Sequence, residues 1–518
     1  MTIKNNKKLH MKKITFLFIL LSGIVFSQTA SELQKLKDFA KTYGIVRYFH
    51  PSDEASQINW NHFASYGIEQ ISKTKNQKEF EETIKNIFSP VAPSVTFNDK
   101  NYVWNDKNLV PVFWIHKGLG IDKLKEKSTY SSKRLNRAEI NGKPLVNPDA
   151  VDSQKNIDSY TIDWDKYVAV NLSNNFNLNV PTVVYSDEKS TLPVSDKQKF
   201  DELKSQLKPE EFNKNIALAN VIISWNIFKH FSPYQDVVKT DWDKVLEEAL
   251  KDAYDDQNED DNYLTLKKFT ANFDDGHMSV YHKNVVVKNK FAPGIALRFL
   301  NNELIVKNVS LGIEGIEKGD VITKINGTET QKVIADLQQY ISGSKQLKNW
   351  MAPLNLLRGA QNSTITLTLK NNKQITVKRD REYNQNADFY TREDVTKSKE
   401  INSETYYVNM DKLSAEEMEA EIPKIRKYKN LIIDLRGYPR TDQAHRLLNY
   451  LLPTEDSTKW LCGREIYLPD FKNYKETCNG HRLRKFISDN PLKTNNVLLV
   501  DERSVSNAEM FSQVVKHY

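Results

Sequence analysis

The chain has 518 residues, several domains' worth at roughly 150 residues each. Hydrophobic residues make up 39% and charged residues 27%, with 17 Gly and 17 Pro, which excludes collagen-like and low-complexity chains; 23 Phe, 23 Tyr and 8 Trp supply core material that a disordered chain lacks. The formal charge is +7, but the first 27 residues carry five lysines and no acid, so the remainder sums to +2 and has no basic footprint for nucleic acid.

Lys12-Lys13 precede an apolar run of 13 residues, Ile14 to Phe26. A bilayer span needs about 20. Val25 and Ser27 stand at −3 and −1 before Gln28, so residues 1–27 read as a cleaved signal peptide, with Met11 as the true start. The expectation is an exported protein, periplasmic or secreted, with no integral membrane segment after cleavage. No cysteine lies near the cleavage point to carry a lipid. The only two, Cys462 and Cys478, either pair in an oxidising compartment or stay as free thiols. Neither C-x-x-C nor H-E-x-x-H occurs, so no metal and no cofactor is expected.

Residues 28–190 read as a helical and β-rich region. Tyr43 to Pro51 matches Trp225 to Pro233 at an offset of 182, and Trp60 matches Trp242 at the same offset. Each copy reads as an aromatic helix, a Pro-marked turn and a second helix, giving two helical subdomains whose aromatics are core. Between them Val110–Ile115, Tyr167–Val170 and Thr182–Tyr185 read as strands, and polar residues 186–199 as a linker. Residues 200–290 form the second helical subdomain and carry Asp274-Asp275-Gly276-His277.

Residues 291–382 form another unit. Ala296–Phe299 and Leu304–Val306 flank Asn301-Asn302, a hairpin signal. Val333 to Ile341 has helical spacing, and Ser363–Leu369 alternates like a strand. From 383 to 518 the character changes: buried runs Leu431–Leu435 and Val497–Val500 alternate with helical patterns over Ala415–Tyr428 and Ala444–Leu452. That pattern predicts a parallel α/β sheet.

Three local features carry chemistry. Ser506 falls at a strand-to-helix turn, where free N–H groups and the helix dipole favour negative charge. Ser506-x-x-Glu509 is equally a capping box. His277 on an acidic, Gly-containing turn suits a general base, or is an ordinary solvent-facing histidine. Gly437 closes Asp434-Leu435-Arg436 at a strand end, where ligands of parallel sheets gather, or simply makes a turn.

In this order the pieces resemble the tail-specific, C-terminal-processing serine peptidases, relatives of the tricorn protease core, over about residues 200–518. The resemblance implies a multidomain α+β chain whose PDZ-like domain, 291–382, precedes an α/β peptidase core. It implies Ser506 as nucleophile, with Ser504 a poor second choice, and His277 as base. The oxyanion donors are then the N–H groups of Gly437 and Asn507. Tricorn-like members carry Ser just before that His, where this chain has Gly276. D-L-R-G is often followed by N-x-G-G, where this chain reads Tyr438-Pro439-Arg440-Thr441. Pro293-Gly294-Ile295-Ala296-Leu297 is similar to the loop by which PDZ domains hold a chain's terminal carboxylate, so Gly294, Ile295 and Ala296 are expected to bind a protein or peptide substrate as an added strand. The family's Lys or orienting Glu falls well past the nucleophile, beyond Tyr518. The core is therefore expected to be incomplete, from a fragment or an early-terminated gene product. The alternative function is a non-catalytic PDZ-like peptide-binding protein.

Overall fold

The computed structural model describes residues 29–98, 101–103, 110–119, 130–135, 167–187, 189–386, 389–390, 396–439, 441–454, 458, 460–479 and 488–518. The expected signal peptide lies outside them. Among the described residues no helix is long and apolar enough to cross a membrane.

The repeat extends further than its sequence signature. Helices α1 (Ala30–Phe49), α2 (Trp60–Ser72) and α3 (Gln77–Phe88) recur as α4 (Lys214–Phe231), α5 (Trp242–Asp255) and α6 (Glu259–Thr270). The same positions stop and start them. Asn59 and Asp241 cap α2 and α5 through their side-chain oxygens, and Asn76 and Asn258 cap α3 and α6. Glu79 and Asp261 each reach back to the N–H of the residue before the cap, Lys75 at 2.8 Å and Gln257 at 3.0 Å. Tyr43 O–H donates to Trp60 C=O at 3.0 Å, and the Trp225 indole N–H donates to Trp242 C=O at 2.8 Å. Arg47 lies over the Tyr43 ring as Lys229 lies over Trp225.

The aromatics of both copies are core, and they fall in one cluster. Phe39, Tyr43, Phe49, Phe63 and Phe88 of the first share one solvent-free cluster with Val221, Trp225, Phe231 and Leu250 of the second. Burial of each large side chain is worth about 1.5–3 kcal/mol. At the crossing, Asn226 donates from Nδ2 to Ala40 O at 2.9 Å over Gly44, where an added Cβ would fall 1.7 Å from Asn226 Oδ1.

Strands β1 (Val110–Leu119), β2 (Tyr167–Asn171), β3 (Asn177–Pro181) and β4 (Val183–Ser186) make up most of the β-rich region; β1 pairs with β4 and β2 with β3. The supposed linker is largely built into the fold. Thr191 and Asp53 exchange hydrogen bonds at 2.9 and 3.0 Å, and Asp196 caps a helix at Lys197–Gln206. Its polar residues are caps and cross-links, which composition alone does not distinguish from a linker.

Residues 291–382 form an antiparallel sheet in the order β9-β8-β7-β6-β5, from β5 (Ile295–Leu300), β6 (Glu303–Val309), β7 (Val321–Ile325), β8 (Thr364–Leu369) and β9 (Gln374–Lys378). Asn301 and Asn302 both take left-handed φ, 50° and 63°, as a two-residue hairpin requires. Helices α7 (Thr330–Gln338) and α8 (Lys345–Leu356) cover the sheet, and α8 lies against the edge strand β5. Phe291–Ala292 pair with Arg381–Glu382 and close the unit where it begins and ends.

The last part is a four-stranded sheet in the order β10-β11-β12-β15, from β10 (Ser398–Asn402), β11 (Thr405–Asn409), β12 (Asn430–Asp434) and β15 (Asn495–Leu499). Strands β11, β12 and β15 are parallel, but β10 is antiparallel. The sequence reading missed the β10–β11 hairpin because β10 is polar and mostly exposed. Helix α9 (Ala415–Ile425) is capped by Ser414, and α10 (Thr441–Leu451) follows β12. Strands β13 (Leu461–Ile466) and β14 (Tyr474–Asn479) form a hairpin between α10 and β15, and there Cys462 and Cys478 are joined. This hairpin reaches the N-terminal half: Ile466 pairs with His116 of β1, and Arg464 contacts Asp236 at 3.2 Å. The final helix, α11 (Asn507–His517), buries Ala508, Phe511 and Val514 against Leu431, Ile433 and Leu447.

Candidate active site

Two turns meet at the site. The first follows the second helical copy. Phe273 is buried against Phe228, Trp242 and Phe269, with ring centroids 4.8, 5.4 and 5.1 Å away. Asp274 then takes left-handed φ, 50°, and ends the helical stretch. The turn that follows is seated on the 291–382 unit. Lys348 Nζ pairs with Asp274 Oδ1 at 2.8 Å, the Asp275 N–H donates to Ser342 Oγ at 3.1 Å, and Gly276 lies against Leu347. A Cβ at Gly276 would fall 2.7 Å from Leu347 Cδ2, so a larger residue there would have to displace the end of that leucine.

The second turn joins β15 to α11. The Leu435 N–H donates to Leu499 O, and Ser504 Oγ donates to Leu435 O at 2.8 Å. Ser504 is thus a strut between two loops. Asp434 and Asp501 carry matching clamps: each receives the N–H, Nε and Nη2 of the arginine two residues on, Arg436 and Arg503, at 2.7–2.9 Å. Burial pushes the Asp434 carboxyl up, but its bonds from Arg436 and Tyr407 outweigh this and hold it below the ordinary value. The D-L-R sequence therefore stiffens the strand end.

Ser506 is the N-cap of α11 with φ 54° and ψ −104°, a conformation costly for a residue with a Cβ. Its N–H is taken by Glu509 Oε2 at 2.7 Å, the capping contact expected. Its Oγ lies 3.0 Å from His277 Nε2. The residue at the N-cap of α11 is thus also the one whose hydroxyl meets a histidine from 229 positions away. The other imidazole nitrogen, Nδ1, faces Asp275 Oδ1 at 3.2 Å.

Gly437 and Asn507 are held near one another through their loops: Asn507 Nδ2 donates to Pro439 O at 2.6 Å, two residues past Gly437. Gly437 is glycine for want of space, since an added Cβ would fall 2.4 Å from Asp411 Cβ. The segment Gly294, Ile295, Ala296 lies at the start of β5. The Ile295 N–H is committed to Pro293 O at 2.8 Å, and the side chains of Ile295 and Ala296 are buried. That removes one of the expected carboxylate donors and leaves the outer edge of β5. From this strand Arg298 reaches Glu502 of the second turn at 3.0 Å.

No protein-family model and no curated protein matches the sequence. Solved structures do. The chain is similar to a CPAF point mutant at 11% identity and TM-score 0.40, over 58% of this chain and 81% of that one. It is similar to CPAF complexed with lactacystin at 14% and 0.35, over 45% and 59%. The photosystem II D1 C-terminal processing protease matches at 13% and 0.31, over 59% and 79%.

Asp275 and the Arg298–Glu502 pair were not singled out from the sequence. Asp275 had a signal, since an Asp two residues before another residue's N–H commonly closes an Asx-turn. The ion pair had none. With Cys462 and Cys478 bonded to each other, neither offers a thiolate to a metal.

Proposed function

We propose that the chain is an exported serine-type peptidase that cleaves unfolded or C-terminal polypeptide segments. One observation carries this reading: His277 Nε2 stands 3.0 Å from the Oγ of a serine held at φ 54° on a strand-to-helix turn. A capping serine needs neither the histidine nor the strain. In the proposed reaction Ser506 Oγ attacks the scissile carbonyl and its proton passes to His277 Nε2. The tetrahedral oxyanion is met by the N–H groups of Gly437 and Asn507 and by the positive end of α11. The proton on His277 then goes to the leaving amine, and water repeats the sequence on the acyl-enzyme. Unit 291–382 acts as a PDZ-like selector, with substrate pairing along the free edge of β5 beside α8.

The test is labelling of the purified chain by an alkyl fluorophosphonate. Attachment at Ser506, lost in Ser506→Ala and slowed about 10²–10⁴-fold in His277→Ala, is the expected result. A native chain that stays unlabelled while binding peptide would point to the non-catalytic binder instead.

A further inference from the structure

We infer that Asp275 is the positioning carboxylate of this site, fixing the tautomer and the orientation of His277; the inference rests on Ser506 and His277 being nucleophile and base. A base that takes the Ser506 proton at Nε2 must carry its own proton on Nδ1. An ionised carboxylate only accepts hydrogen bonds, so Asp275 Oδ1 at 3.2 Å from Nδ1 requires a proton there and leaves the Nε2 lone pair toward Ser506 Oγ.

The turn makes this arrangement local and stiff. Asp275 Oδ1 also accepts the His277 N–H at 2.9 Å, and Asp275 O accepts the Met278 N–H at 3.1 Å. The carboxylate is thus fixed by the chain that bears the imidazole, and its own N–H is anchored to Ser342. The Asp275 side chain is 21% exposed and the His277 side chain 70%, so the orienting group is the sheltered one. The neighbouring acids are engaged elsewhere: Asp274 pairs with Lys348, and Glu509 takes the Ser506 N–H.

Asp275 gains no proton in the reaction. With a fluorophosphonate, the Ser506 Oγ–phosphorus bond forms and the phosphorus–fluorine bond breaks. Fluoride leaves, the Oγ proton moves to His277 Nε2, and Asp275 stays ionised beside the imidazolium.

Two measurements test the assignment. In the native protein, nitrogen-15 NMR of neutral His277, assigned with His277→Gln, is expected to show Nδ1 protonated and Nε2 bare; the opposite tautomer overturns the proposal. In the labelling assay Asp275→Asn, whose amide can satisfy the turn but also donate, is expected to slow modification of Ser506 about 10²–10⁴-fold at an unchanged unfolding midpoint. Asp275→Glu is expected to recover to within about tenfold of native, which a purely structural role would not produce. Labelling of Asp275→Asn within threefold of native, with Ser506→Ala silent and His277→Ala slowed about 10²–10⁴-fold, refutes the role of Asp275 and leaves the peptidase reading standing. Continued labelling of Ser506→Ala overturns both.

Discussion

The backbone of Ser506 offers a test that does not depend on knowing a substrate. At φ 54° and ψ −104° the residue lies where a Cβ is crowded and only glycine is at ease. Such a residue stores about 1–3 kcal/mol. Ser506→Ala and Ser506→Gly both remove the hydroxyl and its bond to His277, so that loss cancels when the two are compared. Glycine alone relieves the backbone, against about 0.5–1 kcal/mol of extra unfolded-chain entropy. The difference leaves Ser506→Gly up to about 2.5 kcal/mol more stable than Ser506→Ala, about 1 kcal/mol at the middle of the two ranges. For the roughly 120-residue C-terminal unit that corresponds to a melting point about 4 °C higher at the middle of the range and up to about 10 °C at its end. Differential scanning fluorimetry of the two variants, with native protein alongside, reads it directly. Equal stability, or a more stable alanine variant, would mean that Ser506 is an unstrained cap, and the argument for a pre-set nucleophile would fail.

Two further outcomes follow from the helical half. Burial holds His50 at about 3, helped by the Arg134 charge, and burial holds His116 at about 3 against the opposing pull of the Tyr48 backbone carbonyl, which would accept from the protonated ring. Their folded values are depressed, so the unfolded chain binds more protons below pH ~6.5 and stability falls as pH drops from there toward 3. Each group removes about 2 kcal/mol by pH 5. His230 is buried and depressed in the same way, so urea midpoints at pH 7 and pH 5 measure the summed loss, and His116→Leu is expected to remove about a third of the slope; a flat profile refutes burial as the cause. At the crossing of the repeat, Gly44→Ala drives a methyl into Asn226 and breaks its bonds to Ala40 O and Ile222 O, for about 3–5 kcal/mol. In a double-mutant cycle Asn226→Ala is expected to give back at least about 2 kcal/mol of that; strict additivity would show the two positions independent.

Much of this architecture was legible because it is written locally. Asn213, Asp241 and Asn258 begin helices through their own side chains, and Asn301-Asn302 make a hairpin because they tolerate left-handed φ. The apolar run at 431–435 reads as a buried strand with no neighbour known. The repeat was visible at its aromatics and fainter at α3 and α6, where Phe80 stands in the place of Asn262 and agreement is confined to the caps and to Thr83-Ile84-Lys85 against Thr265-Leu266-Lys267. The antiparallel β10 was missed because an exposed strand has no apolar pattern to show. At the site, Ser506, His277, Gly437 and Asn507 were nameable from motif order, while the pairing of Cys462 with Cys478 was open until the β13–β14 register set them opposite each other.

What the sequence by itself determined, then, was which segments are helix, strand or turn and which side chains stand at their ends, since capping, turn conformation and apolar periodicity act over a few residues. Only the tertiary structure decided that Ser506 is strained, that Asp275 turns its carboxylate onto His277, and that the imidazole and the hydroxyl meet across 229 positions. Those facts depend on how the turn at 274–277 is seated on Ser342, Leu347 and Lys348, and on how β15 and β12 bind their loops together. Such contacts join segments far apart in the chain, where no local preference reports them.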